Sequence, residues 1–201
     1  MANAAPTFRA GARKTSHTRH PARLVALLTA LCLVVHTAAA SQTATIDEVK
    51  AAFLFNFAKF VEWPSAPDDK GPLQIGILGS DNVGDSLREI VRGKTVNGRP
   101  LAMRRVTDED DLERLHLLFI AAAEQGRLAD IMKRIDGSTV LTVSDIEKFC
   151  QQGGAIALLQ EGNHLRFEIN LDAADRSRLK VSSKLLTLAR TVHPVKPAGD
   201  R

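Results

Sequence analysis

The sequence predicts an α/β domain: a Rossmann-like, largely parallel sheet flanked by helices, with a C-terminal antiparallel hairpin. Three observations predict it. Short apolar runs alternate with helix-patterned segments from residue 45 to residue 151, which is the grammar of strand and crossover helix. The runs at Leu73–Leu78 and Leu115–Ala121 are apolar throughout, as strands covered on both faces require. Near the end the pattern changes to strict alternation, with Leu165, Phe167, Ile169 and Leu171 on one side and His164, Arg166, Glu168 and Asn170 on the other.

The first forty residues stand apart. Arg9, Arg13, Lys14, Arg19 and Arg23 form a basic, acid-free lead-in, Leu24–Val35 is almost wholly apolar, and Ala38-Ala39-Ala40 offers a small-residue cleavage site. That layout predicts a secretory signal peptide over residues 1–40. The apolar run is about 12 residues, short of the roughly 20 that span a bilayer. Cys32 follows Leu31, a poor match to a lipoprotein site. The whole chain has 27 Lys+Arg; less the leader's five, 22 face 23 Asp+Glu. The basic balance therefore belongs to the export signal, and nucleic-acid binding loses its support. Residues 41–193 are expected to form one domain, followed by a flexible tail at 194–201. Cys150 is the single cysteine beyond the leader, so no intrachain disulfide is available there. It is either a buried small hydrophobe or open to an intermolecular bridge.

Taking the elements in order, Thr45 and Glu48 make a capping-box signature. The helix they start carries Ile46, Val49, Phe53, Phe57 and Phe60 at helical spacing and stops at Pro64. Leu73–Leu78 reads as a buried strand and Val83–Val91 as the helix after it. Pro100–Val106 is the next strand, Leu115–Ala121 a second buried run, Glu124–Ile135 a helix and Thr139–Val143 a short strand. Ser144 or Asp145 is expected to cap a helix reaching Gln151. Ala155–Gln160, the turn signal Gly162-Asn163, and His164–Leu171 form the hairpin. Lys184–Val192 is expected as a closing helix.

Sites for chemistry are few. Gly93-Lys94-Thr95 suggests a phosphate loop, but position 88, where the motif needs glycine, is Arg88. Gly76, Gly79 and Gly84 do not match the dinucleotide fingerprint. His116, His164 and His193 fall on three elements without paired carboxylates, so neither a metal centre nor any cofactor is expected. Ser144 and Asp145 could be combined with His116 or His164, but no G-x-S-x-G elbow is present, which leaves an exported hydrolase as a weak third reading. The acidic run Asp108–Asp111 reads as a solvated turn. Nothing compels an enzyme.

Residues 51–64, AAFLFNFAKFVEWP, concentrate four phenylalanines and the only tryptophan. With Phe53 at 0° and about 100° per residue, Phe57 and Phe60 fall within about 40° of it, whereas Phe55 falls near about 200° beside Glu48, Lys59 and Glu62. Phe55 is thus placed on the charged face. Either another element covers it, such as the closing helix, or it anchors a partner contact.

AAFLFNFAKFVEWP from Ala51, LQIGILG from Leu73, GKTVNGRPL from Gly93, HLLFIA from His116, LTVSDIEKF from Leu141, GGAIAL from Gly153, RFEINL from Arg166 and LKVSSKLLTLAR from Leu179 together resemble the YfiR-like family of periplasmic proteins (DUF4154). The resemblance spans nearly all of the chain beyond the leader. It implies an α/β domain that tends to dimerise and acts in the periplasm as a non-catalytic regulator. The expected partner is the sensory domain of an inner-membrane signalling protein, a diguanylate cyclase or sensor kinase, with an outer-membrane lipoprotein as a possible sequestering partner. Relatives often carry cysteines where this chain has Gly76 and Leu115, so redox control through such a bridge is not expected. The family's contact residues do not transfer clearly, and the contact surface is read from the residues themselves. Phe55, Lys59 and Glu62 are expected to contact the partner from the first helix, and Arg166 and Glu168 from the hairpin's polar face. The alternative is a small-ligand sensor with a pocket at the carboxyl ends of the strands.

Overall fold

The computed structural model describes residues 44–64, 71–107 and 110–195. The expected signal peptide lies outside the described residues, as do Asp108, Glu109 and all but the first two residues of the expected tail.

Helix α1 (Ile46–Phe60) starts on the predicted capping box: Glu48 N donates to Thr45 Oγ1 at 3.2 Å and Thr45 N to Glu48 Oε2 at 2.7 Å. It ends earlier than Pro64 predicts, because Val61 turns extended and enters a two-residue strand, β1 (Val61–Glu62). Strand β2 (Leu73–Leu78) and helix α2 (Asp81–Val91) follow as expected. Next comes a hairpin, β3 (Thr95–Val96) and β4 (Arg99–Arg105), closed by Asn97 and Gly98 at φ 51° and 80°. Two positive φ angles in a two-residue loop are what a type I′ turn demands, and Asn-Gly supplies them at least cost. Strand β5 (Leu117–Ile120) leads into a 3₁₀ segment (Ala122–Arg127) and helix α3 (Leu128–Arg134), where a single longer helix was predicted.

Strand β6 (Leu141–Ser144) is followed by a 3₁₀ turn (Phe149–Gln152), in place of the helix expected from Ser144 or Asp145. Both side chains are engaged elsewhere. Ser144 Oγ donates to Ile120 O at 2.6 Å and accepts from Ile146 N, while Asp145 accepts from Ala122 N at 2.7 Å. The hairpin of β7 (Ile156–Glu161) and β8 (His164–Asn170) forms as predicted, with Glu161 opposite His164. Helix α4 (Leu171–Arg176) is capped by Asn170, whose side chain accepts from Ala173 N, and β9 (Lys180–Val181) pairs antiparallel with β1. The closing helix is only α5 (Ser183–Leu188). Ala189 is already extended, Arg190 N donates to Phe167 O, and β-branched Thr191-Val192 begins β10 (Thr191–His193), which adds parallel to β8.

The main sheet has the order β10-β8-β7-β6-β5-β2-β4-β3. Strands β4, β2, β5, β6 and β7 run parallel, β8 is antiparallel to β7, and β3 is antiparallel to β4. The predicted fold class is the observed one. One side of the sheet, with Ile75, Leu117, Phe119, Val143, Leu158 and Phe167, packs under α1 and α2. The other, with Leu118, Ile120 and Ala157, packs against α3 and the 3₁₀ turns through Leu128, Ile131, Phe149 and Cys150.

The buried stripe of α1 differs from the predicted one. Ala51, Leu54, Phe57 and Ala58 are fully buried, whereas Ile46, Val49, Phe53 and Phe60 are half-buried. On the wheel the buried residues centre about 100° from Phe53. Phe53 and Phe55 are then the two flanks of one wide apolar arc, because α1 is covered by the sheet on one side and α2 on the other.

Candidate functional site

Phe55 is half-buried and packs against the core. Two ammonium groups lie over its ring: Lys94 Nζ, from the turn after α2, is 4.8 Å from the centroid and Lys59 Nζ is 5.4 Å from it. Each cation–π contact at a surface contributes about 0.5–1 kcal/mol. The cover that the helical wheel left open thus comes from the end of α2. Lys59 is exposed on α1 and also reaches Phe60 at 5.7 Å. Glu62 was expected on the helix but sits on β1, exposed, in register with Lys180 of β9. It borders a cavity of about 280 Å³ with Trp63, Asn97 and Arg99.

The hairpin residues stand elsewhere. Phe167 of β8 points toward α1, where its ring meets Phe53 and Phe57 edge-on at 5.6 and 5.3 Å. Arg166 and Glu168 alternate with it and lie on the other side of the sheet. Arg166 is exposed, whereas Glu168 is half-buried, with Oε2 3.2 Å from His193 Nε2 on β10. Cys150, on the 3₁₀ turn, is buried beside them, its Sγ 3.6 Å from Glu168 O. Burial pushes the Cys150 thiol up to about 12, with the nearby Glu168 carboxylate adding to the rise against a hydrogen bond from the Ala157 backbone. The cysteine alternatives resolve toward the buried one.

The structure therefore keeps Phe55, Lys59 and Glu62 apart from Arg166 and Glu168. It also joins residues that sequence reasoning separated. His193, read as scattered, shares a carboxylate with β8, because the parallel register sets His193 opposite Asn170 and Thr191 opposite Glu168. No local motif announces that pairing, since it depends on β10 forming at all. Trp63 was read only as part of an aromatic segment, yet its Nε1 donates to His116 O at 2.8 Å, and His116 Nδ1 accepts from Gln74 N. His116 Nε2 lies 3.1 Å from Arg99 Nη2. Trp63 and His116 together fasten β1, β2 and β4. The imagined Ser144–Asp145 nucleophile is not accessible: Ser144 is fully buried and Asp145 pairs with Lys50 at 2.7 Å.

Gly76 and Leu115 face each other. A Cβ on Gly76 would lie 2.4 Å from Leu115 Cδ1, so the leucine fills the space a side chain there would need. No helix among the described residues is long and apolar enough to cross a membrane.

Among solved structures the chain is similar to a conserved domain protein from Vibrio cholerae O1 biovar El Tor strain N16961, at 12% identity and a TM-score of 0.46. That alignment covers 74% of this chain and 60% of the other. The sequence profile described as DUF4154, YfiR/HmsC-like, matches residues 47–190, from the first turn of α1 to the residue before β10. The chain belongs to the YfiR/HmsC-like family.

Proposed function

We propose that this protein is a periplasmic, non-catalytic regulator that represses an inner-membrane diguanylate cyclase by binding its sensory domain. Family membership over residues 47–190 is the observation that carries the reading. Two separate surfaces are proposed for partner contact. Half-buried Phe55, with Lys59 and Lys94 over its ring, and exposed Glu62 on β1 contact the sensory domain, since an aromatic anchor with a polar rim is the usual make-up of an interface hot spot. The β8 surface with Arg166 and Glu168 lies across the sheet and is proposed as a second contact with the same partner. Repression follows if the regulator binds the inactive conformation of the sensory domain more tightly, so that its release shifts the population toward the active one.

The test is capture of the cyclase from detergent-solubilised membranes, paired with cyclic-di-GMP levels in cells. Phe55→Asp is expected to abolish capture and raise cyclic-di-GMP, and Arg166→Glu to weaken capture. Unchanged capture and unchanged cyclic-di-GMP with Phe55→Asp would exclude the α1 surface.

A second reading, a small-ligand sensor, is favoured by one feature. A cavity of about 370 Å³ lies at the carboxyl ends of β2 and β4, lined by Gly79, Ser80, Arg105 and Thr107. A melting-point rise with a periplasmic metabolite that is lost in Arg105→Ala would support it.

A further inference from the structure

We propose that Cys150, Glu168 and His193 form a binding site for one Zn²⁺ ion, on the side of the sheet away from α1. The inference does not depend on the regulatory reading. Among the described residues, these three alone bring a thiol sulfur, a carboxylate oxygen and an imidazole nitrogen within 4.8 Å of one another.

Each ligand is held by a different element, and the elements are fastened together. Cys150 sits on the 3₁₀ turn, which Asn170 Nδ2 ties to β8 through a 2.9 Å bond to Cys150 O. Glu168 belongs to β8, and His193 is set beside it by the parallel β8–β10 register. The separations suit a tetrahedral ion. With Zn–N and Zn–O near 2.1 Å, two such ligands stand about 3.4 Å apart, and a nitrogen and a sulfur about 3.6 Å apart. Glu168 Oε2 and His193 Nε2 are already 3.2 Å apart. From no more than 4.8 Å, the sulfur would close by about 1.2 Å at most.

The charges balance once an ion is bound. On binding, the Cys150 S–H bond breaks, its proton leaves to solvent and a Zn–S bond forms, with His193 coordinating through a neutral imidazole nitrogen and Glu168 through a carboxylate oxygen. Thiolate and carboxylate together offset the two positive charges, so the occupied centre is neutral and suits a partly buried place. A sulfur–nitrogen–oxygen set favours zinc over magnesium or calcium, which take oxygen ligands. Cys150 and His193 line a cavity of about 410 Å³ together with Asn170, Asp172, Arg176 and Pro194, which leaves room for a water ligand. Asp172 is paired with Arg176 and is not a fourth ligand. Three protein ligands with water in the remaining position is the open arrangement of a zinc site.

The test titrates the purified protein with Zn²⁺ alone by calorimetry and, separately, with Co²⁺ by absorption spectroscopy. One equivalent of Zn²⁺ is expected to bind, and Co²⁺ to show a thiolate charge-transfer band with the intense d–d bands of four-coordination. Cys150→Ser abolishes the charge-transfer band, and His193→Gln and Glu168→Gln each weaken Zn²⁺ binding about tenfold or more. His164→Gln, an exposed histidine on the same hairpin, leaves it unchanged. Circular dichroism checks the fold of each variant, and His193→Gln, at the sheet edge, carries the test if Cys150→Ser does not fold. No thiolate–cobalt band at excess metal, or equal Zn²⁺ affinity in folded His193→Gln, would overturn the proposal.

Discussion

The two sides of the sheet solve the same covering problem with different materials. Under α1 and α2 the interior is apolar and aromatic, with Phe53, Phe57 and Phe167 interlocked at centroid distances of 5.3–5.8 Å. The opposite side is covered by a seven-residue helix and 3₁₀ turns, and it buries polar side chains: Thr142 and Ser144, beside the thiol of Cys150. The difference has a physical cause. A regular helix satisfies most of its own backbone groups, so the face beneath it can be wholly apolar. Turns leave donors and acceptors over, and buried ones must find partners. Thr142 Oγ1 accepts from Ala155 N at 2.9 Å, and Ser144 Oγ bridges Ile120 O and Ile146 N. Among the described residues no buried side-chain nitrogen or oxygen is left unpartnered. Of the three buried polar side chains among the described residues, Thr142 and Ser144 thus lie where the cover is irregular.

The sharpest way to break this comparison is on the aromatic side. Phe57 is fully buried at the centre of the triad, and Phe57→Ala is expected to lower stability by about 3–5 kcal/mol. That is a large part of the roughly 5–15 kcal/mol that holds a domain together. Urea denaturation should show the midpoint falling with an unchanged slope. A loss below about 1 kcal/mol would mean that the aromatic side is not where stability is concentrated.

The irregular side makes a different prediction, because its backbone is packed against rings. A Cβ on Gly154 would lie 2.1 Å from Phe149 Cε1, and Phe149 is fully buried with nowhere to swing. Gly154→Ala is expected to cost about 1–3 kcal/mol through overpacking. Phe149→Leu in the same chain makes room, so the double variant should lose less than the sum of the two single ones. Strict additivity would show that the close approach is not what Gly154 is there for.

What the sequence made legible follows the same division. Regular elements with strong periodicity were readable: α1 from its capping box, β2 from its apolar run, the β7–β8 hairpin from alternation. The chain from Ser144 to Gln152 was not, because Ser144 and Asp145 look like helix caps locally and are claimed by partners at Ile120, Ala122 and Lys50. The closing helix failed for a related reason. Ser183–Leu188 is helical, but Thr191-Val192 is drawn into the sheet by an open β8 edge that no local pattern reveals. The Asn97-Gly98 hairpin is a different kind of miss, since its turn signal was present and unused. Of the candidate contact residues, Phe55 was placed at the wrong angle to the core because the helix wheel was centred on the phenylalanines, and Leu54 and Ala58 turned out to mark its middle. Glu168 was read as part of an exposed polar face because the sequence does not show His193 arriving beside it.

The smallest effect concerns what ties the two sides together. Asp145 stands at the carboxyl end of β6, where one oxygen accepts from Lys50 of α1 and the other from Ala122 N, at the start of the turn that leads to α3. Both side chains of the pair are mostly withdrawn from water, at 14% and 18% exposure. Asparagine keeps one acceptor oxygen but no charge, so Asp145→Asn should cost about 1.5–2 kcal/mol, the low end of the range for a hydrogen bond to a charged group. Glu89→Gln supplies the contrast. It breaks the pair with Arg92, whose side chains are 70% and 65% exposed for arginine and glutamate, and should change stability by less than about 0.5 kcal/mol. Raising salt screens exposed pairs far more than withdrawn ones. The Asp145→Asn deficit should therefore persist at high ionic strength. If it disappears there, Asp145 is an ordinary surface charge, and the two covers are joined by the sheet alone.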